Sequence, residues 1–190
     1  MFKHVLTFSL FCAGLVLVAS LARSSADARG TADAKAIERG KYLVTAMGCN
    51  DCHTPWQLGP NGPEPDMTRM LSGHPAALVM PPAPKLPEGP WAFTAAGTMT
   101  AWAGPWGTSF TANLTPDEET GLGRWTEKDF AETLRSGRHL GRGRELLPPM
   151  PWPNVASLSD ADLGAVFAYL KSIPAVSNRV PEPLPPAAQR

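Results

Sequence analysis

One short motif in the sequence combines residue types and spacing that could do chemistry, Cys49-Asn50-Asp51-Cys52-His53. Two thiols separated by two residues can form thioethers with the two vinyl groups of a porphyrin, and the histidine that follows can bind the iron. A thioredoxin-like redox pair would follow a strand, and a zinc site would need further ligands at fixed spacing. Neither pattern surrounds Cys49, so the motif predicts one haem c, attached through Cys49 and Cys52 and ligated by His53.

The other face of the iron needs a methionine, a second histidine or an open position. Beyond the N-terminal segment the candidates are His74, His139, Met47, Met67, Met70, Met80, Met99 and Met150. Prolines on both sides of Met150 restrict its backbone and favour it as the ligand, although core filling is the usual role of a methionine. A methionine ligand is typical of electron transfer, whereas His139 or an open position stays an alternative.

Three stretches have the apolar spacing of helices, and they must position these ligands. They are residues 34–47, 127–136 and 160–172. Gly48 can end the first helix just before the motif, and Gly40 lies in its middle, where glycine costs about 1 kcal/mol relative to alanine. A glycine retained at that cost indicates close approach of another helix.

About sixty residues between His53 and Leu114 contain many of the 21 prolines and 17 glycines of the chain. We expect a long loop here, with residues 56–107 as an insertion that has no regular structure. The predicted fold class is all-α, with three core helices around a covalently bound haem and a long Pro/Gly-rich loop insertion. A large bound ligand would provide a surface against which the tryptophans of this loop could be buried.

Two sets of side chains are candidates for contacting the haem propionates. An indole N–H can donate to a carboxylate, and a guanidinium pairs well with one. Core packing is the ordinary role of these tryptophans and a solvated basic face that of the arginines, which could also form a docking surface for an acidic partner. The candidates are Trp102, Trp106, Trp125 and Trp152, and Arg135, Arg138, Arg142 and Arg144.

The two ends of the chain differ from its middle. Residues 1–28 have a basic start, an apolar stretch and small residues, which predict a signal peptide and export to the periplasm, or else a membrane anchor. Cys12 leaves with a cleaved signal, so Cys49 and Cys52 are then the only cysteines. Residues 33–174 form the predicted haem-binding domain, and residues 175–190 are predicted to be a Pro-rich disordered tail.

The charge pattern excludes one class of partner. Lysine and arginine number 17, as do aspartate and glutamate, and no basic stripe is interleaved with aromatic residues. Such a chain is not expected to bind nucleic acid. Contact with a membrane is expected only if the N-terminal segment stays attached.

Three stretches together resemble the monohaem bacterial cytochromes c, the small all-helical class, and this resemblance implies a cytochrome c-like fold for residues 33–174. They are residues 39–43 leading into the haem motif, residues 149–152, and residues 167–170. The resemblance implies that the motif ends the first helix, that the axial methionine precedes the last helix, and that these two helices cross near a glycine, here Gly40 against the face around Phe167 and Leu170. It also implies that a proline soon after His53 accepts its Nδ1 proton, with Pro55, Pro60, Pro63 and Pro65 as candidates.

Residues 110–117 resemble cytochrome subunits or partners of periplasmic dehydrogenases. The predicted function is a periplasmic carrier of single electrons, by outer-sphere transfer through a haem with His53 and Met150 as axial ligands. The chain is not expected to be an enzyme, and its partners would be a periplasmic dehydrogenase, a terminal oxidase or another cytochrome. The alternatives are a cytochrome subunit in permanent complex with a dehydrogenase, and a haem enzyme or sensor with an open axial position.

Overall fold

A computed structural model describes residue 31 and residues 33–186 of the chain. The predicted signal peptide or anchor, residues 1–28, lies outside the described residues, as does the end of the predicted tail, residues 187–190. Among the described helices, none is both long enough and apolar enough to cross a membrane.

Within residues 33–186, five α-helices form the frame of the domain, and the three longest match the helices expected from apolar spacing. The elements are α1 over residues 33–46, α2 at Cys49–His53, α3 at Glu127–Ser136, α4 at Trp152–Ala156 and α5 at Asp160–Ser172. Single 3-10 turns lie at Met67–Arg69 and His139–Gly141.

Side-chain caps start the two long C-terminal helices where their spacing indicates. In α3 the Asp129 amide donates to Thr126 Oγ1 at 3.1 Å, and the Thr126 amide donates to Asp129 Oδ2 at 2.9 Å, which is a complete capping box. In α5 the Asp162 amide donates to Ser159 Oγ at 3.1 Å. The Asp162 carboxylate accepts instead from Arg39 Nε on α1 at 2.8 Å, so this cap also joins the first helix to the last.

The prediction of an all-α fold is wrong, because two small antiparallel sheets occupy the insertion. The first sheet pairs β1 (Trp56–Gly59) with β2 (Gly62–Pro65). The second has the order β3 (Thr94–Ala95), β4 (Ala101–Gly104) and β5 (Gly107–Phe110). The domain is therefore a mixed arrangement of helices and strands.

Two of the hairpins, β1–β2 and β4–β5, turn on the same four-residue pattern, Gly-Pro-x-Gly, at residues 59–62 and 104–107. Gly59 pairs with Gly62 and Gly104 with Gly107, so each loop is two residues long. The second glycine of each pattern has a positive φ, 117° and 95°, which a residue with a side chain rarely adopts. Strands of two to four residues are too short to show an alternating apolar pattern, and this turn pattern was the signal available for them.

The apolar core lies between α1, α3 and α5. Phe130 of α3 and Phe167 of α5 pack with ring centroids 5.4 Å apart. Val44 of α1 and Leu163 and Leu170 of α5 are almost fully buried. Burial of such side chains contributes about 1.5–3 kcal/mol each, which makes this cluster the main source of stability in the helical part.

Gly40 lies where α1 meets α5, as its position in the helix indicates. A Cβ atom at Gly40 would overlap the carbonyl oxygen of Ala165 and would lie 2.8 Å from the Cβ atom of Tyr169. The contact therefore falls on Ala165 and Tyr169, whereas the resemblance pointed to Phe167 and Leu170, which face the core.

The described part of the C-terminal tail, residues 175–186, makes contacts that its composition did not indicate. Asn178 is buried, and its Nδ2 donates to the carbonyls of Ser72 and His74 at 2.7 and 2.9 Å. Further on, Leu184 exchanges two 2.9 Å backbone hydrogen bonds with Thr108 of β5. This segment therefore joins the helical part to the second sheet.

Substitution of Gly40 by alanine tests the helix crossing. Helix propensity alone would stabilise the protein by about 1 kcal/mol, but overlap with the α5 backbone should outweigh it and cost about 1–3 kcal/mol net. Urea unfolding of the haem-loaded protein measures the change. Gly97→Ala is the control, because a Cβ there meets nothing within 4 Å. A gain in stability for Gly40→Ala would contradict the close crossing.

Candidate functional site

The Cys49–His53 motif forms the short helix α2, which follows α1 after a sharp turn at Gly48. This glycine has a φ of 65°, and a Cβ atom there would lie 2.7 Å from Asp51 Oδ2. The left-handed backbone ends α1 and redirects the chain, as the position of Gly48 predicts. One helical turn then brings the two cysteines and His53 close together in space.

The two cysteines form no disulfide with each other, and both are half-buried. Cys49 packs against the apolar core, and its burial raises the pKa of the thiol to about 11. Burial, followed by the nearby Asp51 carboxylate, also raises the pKa of Cys52. Both sulfurs are therefore neutral at neutral pH, in a setting that is typical of attached or packed sulfur rather than of a reactive thiolate.

His53 is buried, and its ring is oriented by one backbone group. Its Nδ1 lies 2.8 Å from the carbonyl oxygen of Ala112. A carbonyl can only accept, so Nδ1 carries the proton and Nε2 keeps the lone pair that a metal needs. Burial lowers the pKa of His53, which also favours the neutral ring.

The partner of His53 differs from the one that the resemblance implied. None of Pro55, Pro60, Pro63 and Pro65 accepts its proton; Ala112, 59 residues along the chain, does so instead. The insertion separates the motif from this segment, so spacing along the chain gave no means of finding the acceptor. Ala112 lies within residues 110–117, which resemble dehydrogenase cytochromes.

Thr54 holds the end of α2 against the segment that follows the first sheet. Its side chain is fully buried; Oγ1 donates to Asn50 Oδ1 at 2.8 Å and accepts from the Leu71 amide at 2.9 Å. The Gly73 amide donates to the carbonyl of His53 at 2.8 Å. The backbone around His53 is thus fixed from two directions.

Met150 lies on the loop that leads into α4, and it is half-buried against the same apolar core as Cys49. Its amide donates to the carbonyl of Leu147 at 3.3 Å. The carbonyl of Pro148 accepts a 2.6 Å hydrogen bond from Ser109 Oγ of β5. The structure therefore brings Met150 and the cysteine motif to one core, although they are about a hundred residues apart.

The two other histidines differ in their surroundings. His74 is fully buried, with Nδ1 3.0 Å from Thr100 Oγ1 and Nε2 2.9 Å from the carbonyl of Leu78. Both of its nitrogens are engaged, so His74 has no lone pair for a metal. His139 is exposed, and its ring stands edge-on to Trp125 with centroids 5.2 Å apart.

Several known proteins are similar to this chain over most of its length. No protein-family model matches the chain. It is 31% identical over 153 residues to a nicotinate dehydrogenase subunit of Pseudomonas putida, and 30% identical over 155 residues to the cytochrome c subunit of a quinone alcohol dehydrogenase of Gluconobacter oxydans, each match covering 80% of this chain. It is 32% identical over 144 residues, 73% of its length, to a dihaem cytochrome c-type protein of Cereibacter sphaeroides.

The chain belongs to the bacterial c-type cytochromes. It spans only part of these relatives, covering 10%, 25% and 36% of their respective lengths. Relatives that are named cytochromes c imply haem c as the cofactor of this cytochrome.

The residues present fit a covalently attached haem. Two thiols at the right spacing, a histidine with a free Nε2 and a half-buried thioether form a donor set that matches a porphyrin iron and its vinyl groups. Half-buried apolar side chains that pack on the core supply a lining of the right character. They include Met47, Met70, Leu114, Trp125, Leu146 and Met150.

Three tryptophans of this cytochrome differ in whether their indole N–H has a hydrogen-bond partner. The Trp102 indole donates to the carbonyl of Met99 at 3.1 Å, so that N–H is used within the protein. The buried N–H groups of Trp56 and Trp106 have no hydrogen-bond partner among the described residues. A buried donor without an acceptor is uncommon in proteins. Trp106 therefore stays a candidate for contact with a polar group of the cofactor, and Trp56, which the sequence did not single out, joins it.

Most of the candidate arginines already have acidic partners. Arg135 pairs with Asp160 at 2.7 Å, Arg138 with Glu145 at 3.0 Å and Arg144 with Glu182 at 3.5 Å. Arg142 makes no ion pair within the part of the chain that is described. Its guanidinium is accordingly the one best able to pair with a carboxylate from outside the chain.

Replacement of Thr54 by valine tests the support of α2. The variant keeps the shape of the side chain but leaves the buried Leu71 amide without an acceptor, which should lower the free energy of unfolding by about 1–3 kcal/mol. Urea unfolding of the haem-loaded protein measures this change. Thr45→Val is the matched control, because its exposed hydroxyl bonds only to the Lys41 carbonyl within α1, and a change within about 0.5 kcal/mol is expected. Equal effects of the two variants would contradict the role of Thr54.

Proposed function

We propose that this chain is a periplasmic electron carrier with one haem c, attached through Cys49 and Cys52 and ligated by His53 and Met150. The observation that carries the proposal is the orientation of His53. His53 lies in the same helical turn as both thiols, and its Nδ1 donates to the Ala112 carbonyl. This hydrogen bond leaves the lone pair of Nε2 available to bind iron. The proposal is also supported by the relatives that are named cytochrome c subunits.

Each residue of the site has a defined part in electron transfer. The haem iron, when bound, supplies a one-electron couple at nearly constant structure. The two cysteines hold the cofactor covalently, and the Ala112 carbonyl keeps the His53 ring from turning. The Met150 thioether would be the second protein ligand of the iron, and this ligand would raise the reduction potential and leave no iron position for a substrate. The apolar core against which Cys49 and Met150 pack limits the access of water to these two side chains.

The number of haems follows from the number of attachment motifs. The sequence contains a single Cys-x-x-Cys-His, at residues 49–53, and the described residues contain only Cys49 and Cys52 as cysteines. The dihaem relative is longer than this chain, which covers 36% of it. We therefore expect one haem per chain.

Measurement of haem against protein, by the pyridine haemochromogen spectrum and amino-acid analysis, checks this expectation. The purified protein should contain one haem per chain, retained through denaturation because the attachment is covalent. Cys49→Ala with Cys52→Ala should lose haem on acid-acetone extraction. Two haems per chain, or a haem that is extracted from the unaltered protein, would contradict the proposed attachment.

The axial ligand is tested by Met150→Ala. The ferric protein should show the weak sulfur-to-iron charge-transfer band at the red end of the visible spectrum, and the variant should lose it while its reduction potential falls. Met70→Leu is the control, because Met70 packs on the same core and the substitution conserves volume. Persistence of the band in Met150→Ala, or its loss in Met70→Leu, would reject Met150 as the ligand.

A second candidate function is that of a cytochrome subunit in a stable complex with a dehydrogenase. The matched relatives include cytochrome subunits of gluconate 2-dehydrogenase and fructose dehydrogenase. The insertion exposes large apolar side chains, with Leu58, Val79 and Trp91 exposed by 84%, 86% and 73%. Leu58 also lines one groove with Leu78 and Met80, and a contiguous exposed apolar surface is typical of protein interfaces.

Size-exclusion chromatography of native extract separates the two candidates. A permanent subunit should elute with a larger enzyme whose substrate reduces the haem, and Val79→Glu should release it. Tyr42→Glu is the control, because Tyr42 is also large and exposed but belongs to α1 and not to the insertion. Elution of the unaltered cytochrome alone would support the free carrier.

A further inference from the structure

Ser109 connects the second sheet to the loop that carries Met150. It lies in the middle of β5 and is buried, with 7% of its surface exposed. Its Oγ donates to the carbonyl of Pro148 at 2.6 Å, and a second acceptor, the Trp102 carbonyl, lies farther away at 3.4 Å. The short bond makes Pro148, two residues before Met150, its main partner.

The loop has few other means of holding its shape. Prolines at 148, 149 and 151 have no amide hydrogen, so only the amide of Met150 can donate within this stretch. That amide makes a long bond of 3.3 Å to Leu147. The hydroxyl of Ser109 thus supplies the shortest hydrogen bond that this part of the loop receives from the rest of the domain.

The strand that carries Ser109 is itself fixed on both edges. Its inner edge pairs with β4, where Trp102 lies opposite Ser109. On its outer edge Thr108 exchanges two 2.9 Å backbone hydrogen bonds with Leu184 of the tail. Because the strand is held on both edges, the Ser109 hydroxyl is a fixed donor that can restrain the position of the loop.

The same short segment reaches both proposed ligands. Three residues after Ser109, the carbonyl of Ala112 accepts the proton of His53 Nδ1 at 2.8 Å. Between them, the Thr111 amide donates to Thr100 at 3.0 Å and its carbonyl accepts from the His74 amide at 3.0 Å. Residues 109–112 are therefore a braced segment that contacts the motif helix at one end and the methionine loop at the other.

We propose that Ser109 is a positioning residue, which holds the Met150 loop in place through the Pro148 carbonyl and so keeps the thioether on the iron. The proposal rests on the proposed function, since it takes Met150 as the axial ligand. The bond between a thioether and ferric iron is weak enough for added ligands to displace it, so the freedom of the loop sets how readily the methionine leaves.

Titration of the ferric holoprotein with imidazole measures how readily Met150 leaves the iron. Imidazole binds the iron only when Met150 has left, so its apparent affinity is proportional to the fraction of molecules with a released loop. Ser109→Ala should raise the apparent affinity about five-fold, which corresponds to loss of roughly 1 kcal/mol of hydrogen-bond energy. The decrease of the charge-transfer band is the signal that reports imidazole binding during the titration.

Two further variants separate positioning from general loosening of the fold. Ser72→Ala is the matched control, because Ser72 is fully buried and its hydroxyl has no hydrogen-bond partner among the described residues. Its imidazole affinity should stay within two-fold of the parent, as roughly expected for removal of an unpaired group. Ser109→Thr retains the hydroxyl, so its apparent imidazole affinity should stay close to the low value of the parent.

The outcomes distinguish this proposal from the proposed function. A charge-transfer band in the parent, with equal imidazole affinity in the parent and in Ser109→Ala, would overturn the role of Ser109 and leave Met150 as the ligand. Equal increases in Ser109→Ala and Ser72→Ala would also overturn it, since general loosening would then explain both. A parent protein without the band would overturn both proposals.

Discussion

The hydrogen bond from His53 Nδ1 to the Ala112 carbonyl is the interaction on which the rest of the site depends. It joins two segments 59 residues apart and chooses the tautomer of a buried ring. The bond can form only if α2 is held at its C-terminal end, which Thr54 and Gly73 achieve, and if the segment after β5 is braced from its other side. The insertion thus serves the site directly, because the segment that follows it contains the residue that orients the histidine.

The helical frame and the sheets have separate roles. Helices α1, α3 and α5 bury the apolar side chains that provide most of the stability, and Gly40 lets α1 approach the α5 backbone. The second sheet contributes little apolar burial to this cluster. It supplies instead the donors and acceptors that fix the two segments proposed to carry axial ligands. Asn178 completes the arrangement, because it ties the tail to Ser72 and His74 between the helical part and the sheet.

Local patterns predicted the helices well, and the insertion poorly. The capping box at Thr126 and Asp129 and the apolar face of α5 are signals that lie within one or two helical turns, so they can be recognised without knowledge of the fold. The strands at 56–65 and 94–110 depend on pairing and are too short to carry a pattern of their own. Proline and glycine dominated the composition there, and the repeated Gly-Pro-x-Gly turns were the one local signal of the hairpins.

The sequence by itself determined the chemistry of the motif: two thiols, a histidine at a spacing that suits a porphyrin, and a methionine between prolines. Such features are local, because covalent spacing and proline geometry act over a few residues. The tertiary structure decided which carbonyl orients His53, which histidine has both nitrogens engaged, and which strand reaches the Met150 loop. Each of these depends on contacts between segments tens of residues apart, and the free energy of the whole fold, rather than any local preference, brings those segments together.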